Sequence, residues 1–186
     1  DGTTILLAKS EFDQAEKMAE LRKTIADIKE NYAQGQRPVS PHAKRVIVTG
    51  CPMGGVTEKV TKAIEESGGV VVAYENCTGA KQIDRLINED QNPYDALAEH
   101  YLSIGCSVMT PNPNRLELLE RLCRELQADG VVEMILQACH TYAGETHTIR
   151  DFLQKRQIPF LSLETDYSSG DVGQLKTRAA AFIAML

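Results

Sequence analysis

Apolar positions along this chain follow two rhythms. Between residues 11 and 34, Met18, Leu21, Ile25 and Ile28 recur every three or four positions among charged residues. That is the spacing of one helix face, and it predicts a single long helix over 11–34. Gly35 follows, where a glycine commonly ends a helix. The next stretch, "GQRPVSPHAKR", carries Pro38 and Pro41 and reads as a turn-rich connector. From Lys44 onward the rhythm changes. Short β-branched apolar runs, bounded by Gly or Pro, alternate with longer amphipathic stretches. The runs predict strands near 45–49, 69–74, 130–136 and 159–164. The stretches between and after them predict helices near 56–67, 80–88, 94–103, 113–128, 145–157 and 171–185.

Strand and helix in alternation imply an α/β domain with a parallel sheet and helices on both faces. Right-handed crossovers leave few topologies. The favoured one is a flavodoxin-like four-stranded sheet in the order 2-1-3-4, preceded by the long N-terminal helix. The expected organisation is residues 1–43 as helix and connector, an interdomain segment, and residues 44–186 as the α/β domain.

Composition narrows the function. The chain has 186 residues and a formal net charge of −6. No dense basic face is present to bind nucleic acid. No apolar stretch is long enough to span a bilayer. The N-terminus, "DGTTILLAKSEFDQ", lacks a basic region and a signal-like cleavage site, so a cytoplasmic location is the expectation. Five cysteines, Cys51, Cys77, Cys106, Cys123 and Cys139, make an odd count with no C-x-x-C pair. That argues against a disulfide framework, a zinc ribbon or a thioredoxin-type motif.

Three of these cysteines share a placement. Cys51 follows the first strand in "KRVIVTGC", Cys77 the second in "GGVVVAYENC", and Cys139 the third in "DGVVEMILQAC". In open α/β sheets, ligands gather at the carboxyl ends of the strands near the switch in strand order. Neighbouring strands lie about 5 Å apart, so the three sulfurs are expected within roughly 10 Å of each other. "GCPMGG" and "NCTGAK" each lead into a helix, whose N-terminus favours thiolate. Thiolates hold iron–sulfur clusters, a cubane usually taking four. Burial as small hydrophobes remains open for all three. So does a nucleophile role for Cys139 or Cys51, as in a hydrolase or transferase.

Other positions carry weaker signals. Cys123, in "LELLERLCREL", lies on an apolar helix face and reads as core. Cys106, in "SIGCSVMTPN", reads as buried, with a supporting or spare-ligand role near the same edge as the alternative. His140 follows Cys139 directly, but sequence neighbours rarely form a dyad. His100 and His147 read as helix surface. Glu164 and Asp166, in "LETDYSSGD", could orient a ligand or form the turn before the last helix. Arg115 and Lys81 open helices near the edge, where either could face an anionic substrate, with solvent as the default.

Taken together, "VIVTGCPMGG", "VVAYENCTGAK", "MTPNPNR", "GVVEMILQACHTY", "LETDYS" and "VGQLKTRAAAFIAML" resemble the 2-hydroxyacyl-CoA dehydratase and benzoyl-CoA reductase superfamily. The likeness is greatest to its double-cubane cluster branch and runs from about Arg45 to the C-terminus. It implies the second of two flavodoxin-like domains, a fragment whose partner domain supplies its own cysteines. It implies a [4Fe-4S] cluster, or two cubanes joined by a sulfide, held in part by Cys51, Cys77 and Cys139. In relatives the loop around Cys106 often reads Cys-Ser-Cys; here Val108 takes the second place, and Cys106 stays outside the implied ligand set. The resemblance further implies an ATP-hydrolysing iron–sulfur activator as electron donor. It implies that a small substrate is reduced, or dehydrated as a 2-hydroxyacyl-CoA. A dimer is the expected assembly, and the isolated chain is expected to be inactive.

Overall fold

The computed structural model describes residues 14–186. By its internal contacts the chain divides into two units, Asp1–Ala43 and Lys44–Leu186. In the first unit, helix α1 spans Gln14–Ala33 and carries Met18, Leu21, Ile25 and Ile28 at the predicted spacing. Residues 11–13 of the expected helix lie outside the described residues. Gly35 adopts a φ of 83°, and the N–H of Gln36 returns to the carbonyl of Asn31. A left-handed residue that turns the chain back on its last carbonyls closes the helix.

The second unit contains, among the described residues, a four-stranded parallel sheet: β1 (Lys44–Gly50), β2 (Gly69–Glu75), β3 (Gly130–Leu136) and β4 (Phe160–Thr165). Its strand order is β2-β1-β3-β4, as the alternation predicted. Helices α2 (Gly54–Glu65), α3 (Pro93–Leu102), α4 (Pro113–Glu125), α5 (His140–Gln154) and α6 (Val172–Met185) surround it. The pleat of β1 sorts the core. Val46 and Val48 pack with Val60 and Ile64 of α2 and with Leu175, Ala179 and Phe182 of α6. Ile47 points to the other face, with Leu119 and Cys123 of α4 and Ile149 and Leu153 of α5. The two central strands, β1 and β3, are thus covered on both faces, which is why they read as continuous apolar runs rather than alternating ones.

One predicted element is corrected. Residues 80–88 form a single 3-10 turn, Ala80–Gln82, and then open loop. Lys81 turns inward to meet the buried carboxylate of Glu75, which an amphipathic helix on the surface would not allow. Helix α5 begins at His140 rather than near 145, placing its first turn directly after Cys139.

Gly50 ends β1 with a φ of 105°, and a Cβ there would overlap the carbonyl oxygen of Met134. The close approach lets the N–H of Cys51 donate to that carbonyl at 2.7 Å. Gly50→Ala is expected to destabilise the chain by about 3 kcal/mol, combining left-handed strain with a steric clash. Urea denaturation of wild type and variant measures this.

Candidate functional site

The carboxyl edge of the sheet brings together residues that sequence reasoning treated separately. Cys51 lies just past β1 and is buried. The N–H of Leu136, at the end of β3, donates to its sulfur at 3.4 Å. Burial pushes the Cys51 thiol up to about 11, against that N–H bond. Cys139 is the N-cap of α5 and partly exposed. The Thr141 hydroxyl, 3.5 Å from its sulfur, and the backbone N–H groups of the helix's first turn hold its pKa below the ordinary thiol value. The two thiols stand against each other: each perturbs the other, upward at Cys51 and downward at Cys139.

Cys77 joins them through Tyr142. The turn after β2 is tied by Asn76, whose side-chain oxygen accepts from the N–H of Thr78 at 3.1 Å and its hydroxyl at 3.0 Å. This turn leaves Cys77 partly exposed, with its sulfur 3.7 Å from the Tyr142 hydroxyl. Tyr142 lies in the first turn of α5 and is buried in the core cluster that contains Cys51 and against which Cys139 packs. Among the described residues, no group of three or more His, Cys, Asp or Glu side chains is arranged to share a single metal ion.

Beneath the thiols lies a buried charge cluster that sequence reasoning missed. Glu75, at the end of β2, is fully buried. It accepts from the Thr49 hydroxyl of β1, and its two oxygens lie 3.4 Å from Arg115 Nε and 3.3 Å from Lys81 Nζ. Arg115 is 1% exposed; its other nitrogens reach Glu145 of α5 and, at 3.0 Å, Thr49. Burial alone would lower the Arg115 pKa, but Glu75 and Glu145 raise it. Arg115 and Lys81 therefore face the interior, not solvent as the sequence had implied. The available signals were a glutamate closing an apolar strand and a cation opening each following segment.

Glu133, in mid-β3, is a second buried carboxyl. It takes a 3.0 Å bond from Ser162, and burial raises its pKa. Its other oxygen has no hydrogen-bond partner among the described residues.

The remaining candidates fall away from the thiols or into structural roles. Cys123 is buried on α4 beside Leu119 and Ile149, and burial pushes its thiol up to about 11. Cys106 is partly exposed in the loop before α4; its carbonyl accepts from Asn112, which also bonds Glu145 at 2.7 Å. His140 and His147 are exposed or nearly so, while His100 is half-buried. Glu164 is exposed. Asp166 caps the following turn through the Ser168 N–H, and Asp171 binds Lys59 at 2.6 Å and Thr165 at 2.6 Å.

A family model described as 2-hydroxyglutaryl-CoA dehydratase, D-component, matches residues 2–186. This chain belongs to that family. Among curated relatives, it is 52% identical over 176 residues to the "Putative dehydratase subunit YjiM" of Escherichia coli (strain K12), covering 94% of this chain and 45% of that protein. It is 28% identical over 148 residues to a benzoyl-CoA reductase subunit of Thauera aromatica, covering 75% of this chain and 34% of that protein. This D-component family chain thus spans less than half the length of these relatives, one named as a dehydratase subunit and one as a reductase subunit. The resemblance to the superfamily read from its motifs stands. No described helix is long and apolar enough to cross a membrane.

The buried charges carry two predictions. Arg115→Met removes one of the two cations at Glu75, leaving Lys81, and leaves Glu145 with Asn112, and is expected to cost about 3 kcal/mol, read from denaturant midpoints. Glu133 binds its proton more tightly folded than unfolded. Its contribution is therefore complete at low pH and lost as pH rises above the ordinary carboxylate range. Glu133→Gln is expected to match wild type near pH 4 and to be the more stable of the two at pH 8. Midpoints across pH, compared between the two proteins, check the sign.

Proposed function

We propose that this chain is the second, thiolate-bearing domain of an iron–sulfur redox protein of the 2-hydroxyacyl-CoA dehydratase type. The observation that carries the reading is that Cys51, Cys77 and Cys139 follow three adjacent strands at their carboxyl ends, with Cys139 beside Cys51 and the Cys77 sulfur on the Tyr142 hydroxyl. The donor set fits such a group. Cys51 is shielded from water, and its sulfur already receives an N–H from Leu136, the contact that stabilises a metal-bound thiolate. Cys139 is poised toward thiolate. A cubane takes one thiolate per iron, so its ligands surround a cluster instead of converging on one ion. When bound, the group supplies one-electron transfer at low potential.

The chain's own residues present three cysteine sulfurs, exclude water at Cys51 and place a hydrogen-bonding group on each sulfur. The relatives' greater length supports a further domain, which on the motif resemblance precedes this one and completes the site, as a [4Fe-4S] cluster or a sulfide-bridged double cubane. The family supports an ATP-hydrolysing activator as electron donor and reduction or dehydration of a small substrate as outcome. A second reading draws on one observation: Cys139, at a helix N-terminus with a lowered pKa, has the character of a nucleophile. Its neighbour, however, is the buried thiol of Cys51, and this favours the ligand role.

The test is anaerobic reconstitution with iron and sulfide of residues 1–186 and of the protein joined to its preceding domain. The joined protein is expected to turn brown with near-equal iron and sulfide. Cys51→Ala, Cys77→Ala and Cys139→Ala should each lower iron several-fold, while Cys123→Ala leaves it unchanged. Residues 1–186 alone should fold, hold the group weakly and show no ATP-dependent reduction with reduced activator. A colourless joined protein, inactivated by alkylation at Cys139 alone, would establish the nucleophile instead. Robust turnover by residues 1–186 alone would overturn the shared site.

A further inference from the structure

We infer that Tyr142 is a positioning residue that tunes the sulfur of Cys77 through its hydroxyl, with the cations of Arg115 and Lys81 on its ring strengthening that contact. The inference rests on the iron–sulfur reading above and deepens it.

The geometry is built from four elements. Helix α5 starts immediately after Cys139, so its first turn carries the Tyr142 ring back under the edge of the sheet. The ring is 6% exposed. Its hydroxyl faces Cys77 Sγ at 3.7 Å, a distance suited to a sulfur acceptor. On the ring, Arg115 Cζ lies 4.9 Å and Lys81 Nζ 5.6 Å from the centroid. These cations cannot swing away to solvent. Lys81 is held by Glu75, and Arg115 by Glu75 and Glu145, with both cations nearly fully buried.

The direction of the hydrogen bond follows from the chemistry. A sulfur bound to iron has lost its proton and accepts, so the phenol donates. A cation against the aromatic face draws electron density from the ring. That makes the O–H a stronger donor, the more so in a site closed to water. Reduction adds negative charge to a cluster and its sulfurs. A donor on one sulfur stabilises the reduced form and raises the potential. A tyrosine needed for packing alone would have its requirement met by phenylalanine. Here the ring fills the core, while the hydroxyl is directed at a thiol.

The experiment compares wild type, Tyr142→Phe and 3-fluorotyrosine at position 142 in the reconstituted joined protein. Iron and sulfide are measured first, then the reduction potential by a titration followed with electron paramagnetic resonance. Tyr142→Phe keeps the ring and should keep the iron. Its potential should fall by the equivalent of roughly tenfold in the reduction equilibrium, about 59 mV for one electron. The fluorinated residue, a stronger donor of the same shape, should move the potential the other way. A purely structural hydroxyl would not produce that opposite pair of shifts. If wild type takes up no iron, the cluster reading falls and the tuning role with it. If wild type takes up iron and neither substitution moves the potential, the tuning role alone is overturned. If Tyr142→Phe loses iron, the fluorinated protein decides: a raised potential supports the role, and an unchanged one overturns it.

Discussion

The guanidinium of Arg115 fastens the carboxyl edge of the sheet. It reaches β2 through Glu75, β1 through Thr49 and α5 through Glu145, and lies against the ring of Tyr142. A buried cation with this many partners is favourable only if all of them are in place, because each unpaired charge in a dry interior is costly. The loops that carry Cys51, Cys77 and Cys139 grow out of the sheet edge and helix that Arg115 joins. The ion cluster one layer deeper thus ties together elements from which these loops leave.

Above that cluster the three thiols have unlike surroundings. Cys51 is sealed, with a high pKa and an N–H donor at its sulfur. Cys139 sits at a helix N-terminus, half in water and inclined to ionise. Cys77 faces a phenol. Equivalent positions in sequence thus become inequivalent ligands in space. The differences arise from the path of the chain just beyond each strand: a tight glycine turn against β3 at Cys51, an Asn-braced turn at Cys77, and an immediate helix start at Cys139.

The sheet was legible because its two central strands are covered on both faces. Val46, Ile47 and Val48 all meet apolar partners, so strand one announces itself without any alternation. The placement of cysteines after three such runs was legible for the same reason. The charge cluster was not. Glu75 and Glu133 are charged residues in apolar strands, but one-dimensional pattern cannot say whether a partner waits inside. Lys81 shows the difficulty best. On pattern it begins an amphipathic helix; in the fold its ammonium group is drawn to Glu75 and the helix shrinks to one turn. A tertiary ion pair has overridden local propensity. Tyr142 was hidden for a related reason, since its role depends on a helix start at His140, about one turn earlier than the periodicity placed it.

The pairing of β1 with β3, Val46 opposite Gly130 through Gly50 opposite Met134, has a consequence for the thiols beyond holding them. Cys51 belongs to one strand's extension, and its hydrogen-bond donor Leu136 to the other strand. A slip of one residue between these strands would carry the sulfur about 3.3 Å along the sheet and turn it to the opposite face. The Cys51–Leu136 contact is thus a vernier for the central strand pair, closed in one alignment and broken in its neighbours. Any chain able to hold a group on Cys51 in this way has, by that fact, folded with its strands in step.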